Sequence, residues 1–133
     1  MSETGQKRIL LAEDDFALRE TTTDLLEIFG YAVTAVIDGQ AAIENFNQNR
    51  PDLVLADITM PGIDGFALLR HIRAHPSGAD LPFVLMSGKT SQADVQRGLS
   101  AGVDDYVVKP FNADQLERTI ARLMGGHRRV ATA

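Results

Sequence analysis

Asp52-Leu53-Val54-Leu55-Ala56-Asp57-Ile58-Thr59-Met60-Pro61-Gly62 is the stretch on which the fold turns. Four consecutive apolar residues, Leu53 to Ala56, have the pattern of a short strand buried on both faces, as in the middle of a parallel sheet. The run stops on a carboxylate. Pro61 and Gly62 then break regular structure, so Asp57 is placed where the strand gives way to a loop. In open parallel sheets ligands bind at that edge, beyond the carboxyl ends of the strands. Asp57 is therefore a candidate for chemistry, against the plain alternative of a solvated strand-end aspartate or a helix cap.

Outward from this strand, short apolar runs alternate five times with longer segments of helical spacing, which argues for an α/β domain with a mainly parallel sheet. Ile9-Leu10-Leu11-Ala12 ends at Glu13-Asp14-Asp15, and behind it Leu18, Thr22, Leu25 and Phe29 form one helical stripe that Gly30 terminates. Ala32 to Val36 is a second strand, and Asp38 is placed to cap a helix carrying Ala42, Ile43 and Phe46. After Gly65 a third helix turns Phe66, Leu69 and Ile72 inward. Leu81 to Met86 is the fourth run, ending at Ser87-Gly88, and Tyr106-Val107-Val108 is the core of the fifth, ending at Lys109-Pro110. Asn112 caps a last helix with Leu116, Ile120 and Leu123, with Gln115 placed to complete a capping box and Gly125-Gly126 to end it. The fourth helix, about Gln92 to Ser100, is the weak one: Val95 and Leu99 are its clear apolar pair, and Gly98 inside it costs about 1 kcal/mol relative to alanine. A weakly anchored helix beside a reactive strand end is a candidate for movement.

The 133 residues suit one domain with a real core. There is no cysteine, so disulfides and thiolate metal sites are excluded, in keeping with a reducing compartment. The N-terminus is polar and no apolar run approaches the ~20 residues of a membrane span, so a soluble, cytoplasmic protein is expected. A formal net charge of -5 argues against a direct grip on nucleic acid, since the basic cluster His127-Arg128-Arg129 lies in the tail. Residues 7–124 read as the domain and 125–133 as a flexible tail or the start of a linker. The Met1 start is expected to put this domain at the front of its protein, stand-alone or joined to an output domain.

A parallel sheet gathers Glu13 and Asp14, Asp57, Ser87 and Lys109 on one edge. Three carboxylates crowded together raise one another's pKa unless a cation sits among them. A hard divalent ion such as Mg²⁺ takes oxygen ligands and joins carboxylates to phosphate. With Lys109 the formal charges then cancel, leaving a site able to accept a phosphoryl group. Asp57 stands alone on a central strand and suits the nucleophile, forming an acyl phosphate, while adjacent Glu13 and Asp14 suit the metal. Ser87 and Lys109 are the groups to hold the transferred oxygens.

Glu13-Asp14, the run Asp57 to Gly65, Ser87-Gly88, and Gly102-Val103-Asp104-Asp105-Tyr106-Val107-Val108-Lys109-Pro110-Phe111 together resemble the receiver domain of two-component response regulators, of the CheY-like superfamily. The resemblance covers about Lys7 to Met124. It implies a flavodoxin-like (βα)5 fold with strand order 2-1-3-4-5, and phosphoryl transfer to Asp57 from a histidine kinase or phosphotransfer protein. It implies Mg²⁺ bound by Asp14, Asp57 and the Thr59 backbone carbonyl, with Glu13 acting through water, and Ser87 and Lys109 on the phosphoryl group. It further implies a cis Lys109-Pro110 bond, and a switch in which Ser87 and Tyr106 carry a shift of the fourth helix and fifth strand. The surface of helix 4, strand 5 and helix 5 is then the partner or homodimer face, with Arg97 and Asp105 placed to pair across it. Thr59 and Lys89 are expected to set the lifetime of the phosphorylated state.

Other signals carry less. Gly88-Lys89-Thr90 resembles the end of a nucleotide-binding loop, but Phe83 stands where its first glycine belongs. His71 and His75 are spaced to share a metal but lack a third ligand. Asp104-Asp105 reads as a turn before a strand as readily as a cation site. A Mg²⁺-dependent phosphatase with an aspartyl nucleophile is the main rival function, but Thr59 stands where its second acid belongs. A flavin-binding domain of the same topology is the other, and Glu13-Asp14-Asp15 would repel its phosphate.

Overall fold

The computed structural model describes residues 6–88 and 91–126. Its strands are β1 (Arg8–Ala12), β2 (Ala32–Val36), β3 (Leu53–Asp57), β4 (Phe83–Ser87) and β5 (Asp105–Val108), and its α-helices α1 (Phe16–Ile28), α2 (Gly39–Gln48), α3 (Gly65–Ala74), α4 (Gln92–Ala101) and α5 (Ala113–Ala121). The strands form one parallel sheet in the order β2-β1-β3-β4-β5, the order that the resemblance implies. Within β1, β3 and β4 alternate side chains pack into two different cores, the period-2 rule of a strand covered on both faces. Leu10, Val54, Ala56, Phe83 and Leu85 meet Phe46 of α2 and Phe66, Leu69 and Ile72 of α3. Ile9, Leu11, Leu53, Leu55, Val84 and Met86 meet Leu26 of α1 and Leu116 and Ile120 of α5.

Side-chain caps start the helices. Asp15, Asp38, Asp64, Ser91 and Asn112 each accept a backbone N–H three residues on. Asp38 and Asn112 are the two named from sequence. The Gln115 N–H donates to Asn112 Oδ1 at 2.7 Å, while the return bond of a capping box is not formed. Regular α5 ends at Ala121, earlier than Gly125-Gly126, and continues as a π-helical turn over Arg122–Gly126. Strand β4 begins at Phe83 rather than Leu81, because Pro82 has no N–H for the ladder, although its carbonyl still accepts from Val54.

Two helices face inward differently from their expected stripes. In α1 the buried residues are Thr22 and Leu26, with Leu18, Leu25 and Phe29 half-buried. In α4 Leu99 is 56% exposed and Val95 half-buried, while the buried position is Gly98, because the Tyr106 ring of β5 fills the space beneath the helix. Within the chain Arg97 and Asp105 each have another contact. The Arg97 guanidinium lies over the buried Phe66 ring, 4.3 Å from the centroid, and Asp105 pairs with Arg122 beyond α5.

Candidate functional site

The chain reverses direction across the sheet between β1 and β3, the switch point at which such sheets bind ligands. Ala12 is opposite Ala56, so the next residues along, Glu13 and Asp57, are neighbours. Glu13, Asp14 and Asp57 each offer a carboxylate oxygen, and these lie within 4.8 Å of one another. Glu13 is fully buried and Asp57 is 6% exposed, whereas Asp14 is open to solvent. Lys109, just beyond β5, reaches across with Nζ 2.5 Å from Asp57 Oδ2 and 3.2 Å from Glu13 Oε1. The other Asp57 oxygen accepts the Thr59 N–H at 3.0 Å. Ser87, at the end of β4, is buried, and its carbonyl accepts the Lys109 N–H at 2.7 Å. The Lys109-Pro110 peptide is cis, as expected.

The electrostatics follow from crowding charge in a low-dielectric setting. Burial raises the Glu13 carboxyl above its ordinary value; the Asp15 N–H on its oxygen opposes this, the Asp57 charge adds to it, and Lys109 again opposes it. Burial alone would lower the Lys109 ammonium, but the hydrogen bond and charge of Asp57, followed by those of Glu13, reverse this and raise it. Three carboxylates and one ammonium leave two negative charges, which one divalent cation neutralises.

Some supports of the site were not apparent from sequence. Arg19, one turn into α1, donates to the carbonyls of Glu13 at 2.9 Å and Asp14 at 3.4 Å, bracing the acidic loop from behind; a base one turn after an acidic pair is the available signal. Gly65, which starts α3, has no room for a side chain: a Cβ there would stand 2.5 Å from the Asp57 carbonyl oxygen and 2.8 Å from Ile58 Cα. Because both are backbone, Gly65→Ala is expected to shift the loop that follows β3 and cost about 1–3 kcal/mol. Urea denaturation checks this; an unchanged midpoint would show that the loop yields freely.

Other sequence candidates fall elsewhere. Tyr106 is outside the carboxylate cluster, half-buried against α4, where its hydroxyl donates to the Asp94 carbonyl at 2.6 Å; burial raises its pKa. Thr59 is exposed. His71 and His75 are both exposed; the His75 ring meets Phe46 edge-on and accepts the Ser77 N–H, so the pair gathers no metal site. Asp104 accepts the Phe83 N–H and pairs with Arg73, a structural use of a residue read as a turn. Lys89, Thr90 and His127-Arg128-Arg129 lie outside the described residues. Among the described residues no helix is long and apolar enough to cross a membrane.

A five-stranded parallel sheet in this order, with an acidic cluster and a lysine at its switch point, defines a flavodoxin-like α/β domain with a candidate cation site. The family model described as "Response regulator receiver domain" matches residues 9–121. The chain is 42% identical over 128 residues to the transcriptional regulatory protein CseB of Streptomyces avermitilis, covering 96% of this chain and 52% of that protein. It is 39% identical over 124 residues to the response regulator MprA of Mycobacterium sp. (strain KMS), covering 93% and 52%. It thus spans about half the length of these curated relatives. Among solved structures, Vibrio cholerae chemotaxis protein CheY4 superposes with a TM-score of 0.86 at 27% identity, over 89% of this chain and 98% of that one. The receiver domain of a sensor histidine kinase from Pseudomonas aeruginosa PAO1, solved with a magnesium ion coordinated in its active site cleft, superposes with a TM-score of 0.84 at 34% identity, over 90% and 98%. The chain belongs to the response regulator receiver domain family of two-component signalling proteins.

Proposed function

We propose that Asp57 accepts a phosphoryl group from the phosphohistidine of a histidine kinase or phosphotransfer protein, with Mg²⁺ in the site, and that this changes the surface of α4, β5 and α5. The observation that carries this reading is the placement of the buried Asp57 carboxylate within 4.8 Å of Glu13 and Asp14 ligand atoms, with the Lys109 ammonium 2.5 Å away. This all-oxygen, acidic donor set fits a hard divalent cation. Asp14, Asp57 and the Thr59 carbonyl would hold it, with Glu13 acting through water. When bound, the ion supplies positive charge against the phosphoryl oxygens.

In the transfer, an Asp57 carboxylate oxygen forms the new bond to phosphorus as the phosphorus bond to the donor nitrogen breaks, and that nitrogen keeps the electron pair. The Lys109 ammonium moves from Asp57 to the incoming oxygens, and the Ser87 hydroxyl donates to another. Their displacement pulls on β4 and β5, and α4 with Tyr106 follows. The domain thus turns over its own phosphorylation and no separate substrate. A phosphatase is disfavoured because Thr59, two residues after the nucleophile, offers no acid.

The receiver unit is taken to span residues 7–124, with 125–133 a tail or linker. CseB, about twice as long as this chain, is named a transcriptional regulatory protein, which supports placing this chain as the control portion of a cytoplasmic regulator whose DNA contact lies elsewhere. Its formal charge of -5 fits that division, and the α4-β5-α5 face is the site for homodimerisation.

Incubation with acetyl phosphate, with and without Mg²⁺, followed by intact mass measurement tests the chemistry. A gain of one phosphoryl group is expected in the wild type with Mg²⁺, and none in Asp57→Asn. Equal labelling of Asp57→Asn, or labelling without Mg²⁺, would overturn it.

A further inference from the structure

Gly98 is the buried residue of α4, and its burial has a specific cause. A Cβ built on it would stand 1.9 Å from the Tyr106 hydroxyl oxygen, 2.8 Å from Tyr106 Cζ and 3.2 Å from Val103 Cγ1. The ring therefore occupies the volume that the Cβ of any other residue would claim. From that seat its hydroxyl donates to the Asp94 carbonyl at 2.6 Å and lies 3.4 Å from that of Val95, both in the first half of α4. Glycine is, after proline, the least favourable residue in a helix interior, and α4 already buries little. A helix so weakly anchored bears this cost at the one position where the tyrosine needs room.

We propose that Gly98 is the positioning residue for Tyr106: its missing Cβ is a notch in α4 that admits the ring, and any side chain at 98 expels the ring towards solvent. The ring moves rather than the helix. The clash is with the far end of a single side chain that is already half-buried, whereas α4 is fixed to α3 by Arg97 over Phe66 and to Arg73 through the Gly102 carbonyl. The link to signalling rests on the proposed switch role of Tyr106, but the notch does not.

The chain has two tyrosines and no tryptophan, so Tyr31→Phe leaves Tyr106 as the sole source of tyrosine fluorescence. In that background, without phosphate or its analogues, acrylamide quenching of Tyr106 is expected to rise on Gly98→Ala towards the value of a free tyrosine. Quenching that stays at the half-buried level would overturn the proposal, since the helix would then have given way. Should Gly98→Ala fold poorly, thermal melts of the substitution in a Tyr106→Ala background decide the matter. With the ring removed, alanine at 98 is expected to raise Tm, and a Tm lowered as much as in the presence of Tyr106 would overturn the notch. A separate arm adds Mg²⁺ and beryllofluoride to the Tyr31→Phe protein. Unchanged Tyr106 quenching there would refute the switch role of Tyr106 while the result at Gly98 stands.

Discussion

Lys109→Met is expected to slow phosphorylation of Asp57 by acetyl phosphate by about 10²–10³-fold, the loss typical of removing one group that stabilises developing charge. The Lys109 ammonium is the cation that faces both buried carboxylates, 2.5 Å from Asp57 and 3.2 Å from Glu13, and methionine keeps most of its stem while removing that charge. Stopped quenching with mass detection gives the rate. A loss of less than about tenfold would assign the phosphoryl oxygens to other groups. The same substitution has a pH signature. The folded Glu13 pKa is already above its ordinary 4.5, so between 4.5 and that raised value the folded state holds a proton the unfolded state has lost, and stability falls as pH rises. Lys109 opposes this shift, so removing it widens the window. Measured by urea in EDTA, the deficit of Lys109→Met against wild type is expected to be smaller at pH 4 than at pH 7. The titration of Lys109 itself enters only at high pH: its ammonium is charged below 10.5, and what that proton adds to stability fades as pH climbs through the raised folded value.

What the sequence made legible follows the strength of each local signal. Leu53 to Ala56 could be read because a strand covered on both faces has no polar residue to confuse its pattern, and the sheet order came with the motifs at the strand ends. Glu13, Asp14, Asp57 and Lys109 could be gathered in advance because a parallel sheet puts all strand ends on one edge. The interior of α4 could not. Pattern reading turns apolar residues inward, yet Tyr106 arrives from another element and claims that space, leaving Leu99 exposed and a glycine inside. Likewise the contacts of Arg97 and Asp105 within the chain had no local signal, because long side chains choose partners by reach. Arg97 covers a buried aromatic ring, and the turn after α5 brings Arg122 to Asp105. The strand-end rule puts Lys109 on the same edge as Glu13 but does not say which carboxylates its ammonium touches, and its bond to Glu13 as well as Asp57 had no signal of its own.

Arg73 is another such silent contribution, and Arg73→Met is expected to destabilise the domain by about 3 kcal/mol, lowering Tm by roughly 10 °C. Its sequence context is an exposed-looking base in the last turn of α3. In the fold its guanidinium donates to the carbonyls of Gly102 at 3.0 and 2.8 Å, Gly78 at 2.9 Å and Leu81 at 2.6 Å, and to Asp104 at 2.9 Å. One planar fork thus ties the end of α3 to the start of β4 and to the turn between α4 and β5. This anchors the C-terminal end of α4 and leaves its first turn to the Tyr106 hydroxyl, so the helix is held firmly at the end that need not move. The energy is assigned to the carbonyls rather than to the ion pair, because Asp104 is 38% exposed and solvent-facing pairs contribute about 0–1 kcal/mol. Asp104→Asn, which keeps an acceptor for the Phe83 N–H, is therefore expected to cost less than about 1 kcal/mol. Arg73→Lys, a point charge without the fork, is expected to recover only part of the loss. Urea denaturation of the three variants separates the accounts: an Asp104→Asn deficit equal to that of Arg73→Met would put the ion pair, and not the four carbonyl contacts, in charge of this corner of the fold.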